Sequence, residues 1–132
     1  MNAPSVDIKD MLEAYSTLGL VYTDNLFIGV ELTEPKNCVT IFDSPGMRPQ
    51  LTMKGLGEKY EYPSVQIRVR NSKYLVGWDL INEIKDYLHG RNHETWGGSL
   101  YTAIICVGSP ALLDWDENRN ARFIINFNLQ RR

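Results

Sequence analysis

Ser64-Val65-Gln66-Ile67-Arg68-Val69-Arg70 alternates strictly between apolar and polar residues. A strand over these positions turns Val65, Ile67 and Val69 to one side and Gln66, Arg68 and Arg70 to the other, which predicts one dry face and one wet face. Beyond it, Tyr74, Trp78, Ile81, Ile84 and Leu88 recur at helical spacing, with Leu80 and Tyr87 widening the stripe. The helix is expected over residues 73–88, with Ser72 as its cap, Gly90 at its end, and Gly77 marking close backbone approach to a sheet. Leu100 to Val107 then runs apolar at nearly every position from Ala103 onward, the pattern of an interior strand covered on both faces. Pro63 to Val107 therefore reads as strand, amphipathic helix, strand.

On the N-terminal side, Ile8, Met11, Leu12, Tyr15 and Leu18 share helical spacing. Ser5 is the expected cap, Asp7 suits the positive end of the helix dipole, and Gly19 stops the run. Leu26 to Leu32 alternates and Cys38 to Asp43 returns after Glu34-Pro35-Lys36-Asn37, which predicts a hairpin. Ser44 to Tyr62 holds Pro45, Gly46, Pro49, Gly55 and Gly57 with no sustained period, a connection long enough to serve as a contact arm. Arg91 to Ser99 is expected to be a loop. In the last strand, Arg122 to Leu129, Phe123, Ile125, Phe127 and Leu129 point inward. The fold class is α+β: one domain over residues 1–132, with a central, mostly antiparallel sheet of about five strands flanked by two helices. The element order is α-β-β-β-α-β-β, with the long loop between the second and third strands.

At 132 residues the chain can bury about two-thirds of its unfolded surface without a metal or disulfide staple. Its 14 basic and 16 acidic residues give a net charge of −2, too balanced for a nucleic-acid coat or an anionic-membrane binder. Cys38 and Cys106 sit among apolar neighbours in predicted strands and are expected as reduced, buried thiols. The N-terminus lacks the basic and apolar regions of a signal peptide, and no apolar run is long enough to span a bilayer, so a soluble protein is expected.

Reactive constellations fail one by one. His89 and His93 are four apart, but Gly90 breaks the helix between them and a third ligand is missing unless Glu94 serves. Asp114-Trp115-Asp116-Glu117-Asn118 opens like a calcium loop, yet Arg119 stands where that loop needs glycine and Ile125 where it needs glutamate; turn chemistry between the last two strands explains these residues. No glycine-rich phosphate loop, nucleophile elbow or activated cysteine is present, and Asp79 and Glu83 belong to a solvated helix face. Neither catalysis nor a cofactor is expected. Arg68, Arg70 and Arg122 lack alternating aromatic platforms, which argues against sequence-specific nucleic-acid binding. A small-ligand or enzymatic domain with residues 44–62 as a lid is the alternative from another class.

Several segments together resemble a phage family of minor capsid proteins related in general form to tail terminators. They are Tyr62 to Arg70, the helix end Ile84-Lys85-Asp86-Tyr87-Leu88-His89-Gly90, Pro110 to Arg119, and Phe123 to Arg131. The resemblance spans most of the chain, apart from Ser44 to Tyr62. It implies a structural virion protein of the tail-neck region, assembled in the host cytoplasm as a ring, commonly a hexamer. Such a ring caps the finished tail tube, stops its growth and presents a surface to head-tail connector or neck proteins. No bond is made or broken and no membrane is involved. Another neck component, a head completion or stopper protein contacting the portal side, is the nearest alternative. Because ring closure needs two different patches on each subunit, Arg48, Lys54, Lys59, Arg68, Arg70 and Arg122 are the candidate residues for subunit or tube contacts.

Overall fold

The computed structural model describes residues 1–47 and 60–132. Arg48, Lys54 and Lys59, and most of the proposed arm or lid, lie outside the described residues. Helix α1 (Pro4–Ala14) is followed by a short 3-10 turn, Ser16–Leu18, and then by strands β1 (Leu26–Ile28), β2 (Cys38–Met47) and β3 (Tyr62–Asn71). Helix α2 (Tyr74–Leu88) leads to β4 (Glu94–Trp96), β5 (Ser99–Trp115) and β6 (Ala121–Arg131). They form one six-stranded sheet in the order β1-β2-β3-β6-β5-β4.

The alternation of β3 behaves as the residues dictate. Val65, Ile67 and Val69 are fully buried beside Phe123, Ile125 and Phe127 of β6 and Val39 and Ile41 of β2. Both helices cover this face. Ile8, Met11 and Leu12 come from α1, and Ile81, Ile84 and Leu88 from α2. Tyr87 joins the two helices: its ring stacks on Tyr15 at 4.3 Å and its hydroxyl donates to Met11 O at 2.9 Å. Gly77 lies against the sheet as expected, since a Cβ there would meet Phe123 Cε2 at 2.8 Å and Asn71 Cβ at 3.0 Å.

The structure corrects several expectations. Among the described residues the sheet has six strands and is mixed, because β1 pairs with β2 in parallel and the expected hairpin is not formed. Gly29, at φ 77°, ends β1 at Ile28 and sends the chain back across the polar face, leaving Val30 and Leu32 exposed. The expected loop after α2 contains β4, which pairs with the start of β5. Ser5 does not cap α1. It lies inside the first turn, where its backbone N–H and hydroxyl donate to the Asp43 carboxylate of β2 at 2.9 and 2.7 Å, so one orphan donor of the helix start is met from the sheet. Ser72 likewise does not cap α2: the preceding Asn71 Oδ1 accepts from Lys73 N at 2.9 Å, and no side chain caps from Lys73 itself. Cys38 is buried and Cys106 half-buried, both as free thiols. Among the described residues, no helix is long and apolar enough to cross a membrane.

Candidate interaction surface

The polar face of the sheet carries a charged cluster. Glu31, on the loop between β1 and β2, points its carboxylate between three arginines: Arg68 at 3.6 Å, Arg70 at 3.5 Å and Arg122 at 3.1 Å. Register makes the cluster possible, because Arg70 of β3 is paired with Arg122 of β6 and Arg68 lies two residues along on the same face. Two like charges directly opposite on neighbouring strands repel, and Glu31 with Asp114 and Asp116 offsets that repulsion. Arg122 grips Asp114 bidentately, Nε to Oδ1 and Nη2 to Oδ2, both at 2.5 Å. This hydrogen bonding, ahead of the opposing effect of burial, holds the Asp114 carboxyl below its ordinary value and the Arg122 guanidinium above its own.

Arg70 departs from the expected wet face. It is 6% exposed, and its donors turn inward to the loop, reaching the carbonyls of Leu32, Thr33 (3.2 Å), Pro35 (2.8 Å) and Lys36 (3.2 Å). The fork geometry of guanidinium, with five donors, suits a curled row of carbonyls that a lysine could not satisfy together. Arg70 is thus the peg around which residues 31–36 are wound. Arg68 and Arg122 remain at the rim, Arg68 lying over the Phe42 ring at 4.9 Å and donating to Gln66 Oε1 at 2.9 Å. Since each guanidinium has a carboxylate partner, the cluster is neutralised internally and is no open anion site.

A second feature lies on β5. The apolar run expected to be covered on both faces is covered on one. Ile105 and Val107 are each 50% exposed, on the side away from the helices. They share that face with Asn128 and Asn126, their partners in register. At the far end of the strand, Leu112 and Trp115 are also exposed beside the start of α2. Trp115 stacks on Tyr74 at 5.9 Å, and Tyr74 and Trp78 bracket Phe123 at 5.0 and 5.9 Å. The result is an aromatic shelf with Tyr74, Trp78 and Trp115 all partly in solvent.

The backbone of this strand has an open side. Strand β4 pairs only with Ser99 to Tyr101; Ile104 exchanges hydrogen bonds with Gly90 and Arg91, and Cys106 N donates to His89 Nδ1 at 3.1 Å. From Val107 to Trp115, β6 lies on one side, and no described strand lies on the other. His89 is therefore part of the edge, and among the described residues no group of three or more His, Cys, Asp or Glu side chains is placed to hold a metal.

With this geometry in view, the family model for bacteriophage tail terminator protein matches residues 6–131. The chain belongs to that family. It is a structural protein of the phage tail. No curated protein matches it in sequence. Among solved structures, a chain described as "Virion of native gene transfer agent (GTA) particle" has the same fold at a TM-score of 0.66 and 10% identity, with 98% of this chain and 94% of that chain covered.

Of the six candidate contact residues, the structure brings Arg68, Arg70 and Arg122 together around Glu31, a residue that the pattern of the sequence did not single out. The open edge and shelf were also missed. Their signal was present in Leu112, Leu113 and Trp115, which sit at the end of a strand where turn chemistry had drawn attention to their neighbours.

Proposed function

We propose that this protein is a tail terminator in the full sense: an oligomeric ring, commonly a hexamer in the family, that caps the completed tail tube, stops further subunit addition and offers its other face to the neck. The mechanism is assembly. Membership of the tail terminator family across residues 6–131 carries this reading, and the open β5 edge bordered by exposed apolar side chains supports it, because extended apolar patches on small proteins mark docking surfaces. Partners are further copies of the chain, the tube protein and the head-tail connector. Arg68 and Arg122 are the proposed contact residues at the rim of the cluster, and Arg70 acts on the contact through the loop that it holds. The place of action is the virion tail-neck region, after assembly in the host cytoplasm.

The test is negative-stain microscopy of purified tail tubes incubated with labelled protein. Label at one tip with growth arrested is the expected result. Label absent from tubes, or found on portal-bearing heads instead, would overturn the terminator reading and favour a head completion or stopper role.

A further inference from the structure

The two edges of this sheet are each blocked over part of their length, and at opposite ends. Strand β1 covers β2 only at Val39 to Ile41, so the outer side of β2 is open among the described residues from Phe42 to Met47. Strand β4 covers β5 only at Ser99 to Tyr101, and among the described residues the outer side of β5 is open from Val107 to Trp115. Through the register, Cys38 is level with Arg70, Arg122 and Asp114, whereas Ser44 is level with Ser64, Asn128 and Ile105. The open part of β2 is therefore at the end where β5 is covered, and the open part of β5 at the end where β2 is covered. The outlines are those of a half-lap joint.

We propose that the sheet continues from one copy of the chain to the next, with residues 107–115 of β5 adding in antiparallel pairing to residues 42–47 of β2 on the neighbouring copy. This rests on the ring reading above and assigns its subunit contact. Three observations carry it. First, β2, β3, β6 and β5 alternate in direction, so β5 placed beside a neighbour's β2 continues the antiparallel alternation. Second, the joined edges are different surfaces of the molecule. Their contact is heterologous and closes a ring once the rotation is right, whereas β5 paired with another β5 would stop at a dimer.

Third, the blocked ends impose a stagger. Aligning the two open stretches slides one copy along the strand direction by about five residues, roughly 17 Å at the usual rise of a strand. A closed sheet absorbs such a stagger by tilting its strands against the ring axis. An unpaired edge strand recruits another chain through its main-chain groups, and the exposed Val107, Leu112, Leu113 and Trp115 supply apolar surface to that joint. Pro45 contributes a carbonyl but no N–H, so it fixes which positions of β2 can accept the incoming strand.

The experiment is thiol cross-linking of the full chain in the presence of tail tubes. Ser44→Cys is mixed in turn with Val107→Cys, Ala111→Cys and Leu113→Cys, three positions that sample the register, and each mixture is oxidised. The unsubstituted protein controls for Cys38 and Cys106. The expected result is a cross-linked dimer in at least one mixture and in no singly substituted preparation. A β5 variant that cross-links to itself, or tube tips that become capped while no mixture cross-links, would overturn the proposal and leave the terminator reading intact. Cross-linking in a mixture that fails to cap tubes would sustain this joint and overturn the terminator reading.

Discussion

Glu31 Oε2 lies 3.1 Å from Arg122 Nη1, tying the loop before β2 to the interior strand β6. The same carboxylate meets Arg68 and Arg70, so a single acidic side chain holds three guanidiniums that would otherwise face one another. Glu31→Ala should destabilise the fold by on the order of 3 kcal/mol, since removing one partner leaves the mostly buried Arg70 charge with less compensation. Urea unfolding measures this. Arg68→Ala, at the rim, should cost less than 1 kcal/mol on the usual scale of exposed pairs. Equal losses for the two variants would mean that Glu31 is not the centre of the cluster.

Gly77 predicts the opposite of helix propensity. Alanine is the better helix former by about 1 kcal/mol, yet its methyl group would lie 2.8 Å from the Phe123 ring. Overpacking of this kind costs about 1–3 kcal/mol, so Gly77→Ala should lower stability on balance. A rise in the unfolding midpoint would show that the ring yields.

Tyr101 should make the fold alkali-sensitive. Burial first, and then the hydrogen bond that its hydroxyl donates to the Asp7 carboxylate at 2.5 Å, push the phenol well above its ordinary value, against the lowering effect of Arg131. A folded-state pKa that is raised gives stability fully present below the unfolded value of 10.0 and lost progressively as pH rises beyond it. Tyr101→Phe should flatten this alkaline loss, while costing about 1–3 kcal/mol at neutral pH because Asp7 loses a donor. Stability profiles that fall in parallel above pH 10 would assign the sensitivity elsewhere.

The turn after β5 should respond to acid. Burial would raise the Asp116 carboxyl, but hydrogen bonds from Asn120 N (2.8 Å), the Asn120 amide (3.0 Å) and Asn118 N (2.9 Å) outweigh it and lower its pKa. A lowered folded-state pKa gives stability present above the ordinary value of 3.8 and lost as pH falls through the folded value. Trp115 fluorescence, one residue from the turn, should change in that acid range, and Asp116→Ala should abolish the change. A response retained in the variant would exclude Asp116 as its source.

Charge reversal at Arg68 addresses the proposed contacts, because its guanidinium is partly exposed and the fold does not hang on it. Arg68→Glu should reduce tip capping of tail tubes by about tenfold, the size of one lost charged contact. Unchanged capping would remove Arg68 from the contact surface. Arg70 would be a poor choice for this test, since its reversal would strike the loop carbonyls before any partner.

The core was legible wherever a period ran uninterrupted. Val65, Ile67 and Val69, the Ile81, Ile84 and Leu88 part of the α2 stripe and the alternation of β6 all faced as their spacing required, because burial of one face leaves a strand or helix little choice, whereas Tyr74 and Trp78 at the start of α2 stay partly in solvent. What could not be read was pairing. Nothing in Leu26 to Leu32 tells a parallel neighbour from an antiparallel one, and the decision falls to Gly29 and to Arg70, which lies far along the chain. The polar face misled for a related reason: alternation reports which residues leave the core, not whether a loop then folds over them. The open edge of β5 was hidden because its apolar run matches that of a strand buried on both sides.

The placement of β6 has a consequence in time. It lies between β3 and β5 in the sheet, and Ser64 Oγ reaches Phe127 O across 63 positions of sequence, yet β6 leaves the ribosome after β1 to β5. Until then β3 and β5 have no common neighbour and the core has no middle, so folding must wait for a late, long-range closure. The stepped outline proposed for lateral joining therefore forms only once β6 has entered between β3 and β5, so a chain that can join its neighbours is already a chain with a finished core.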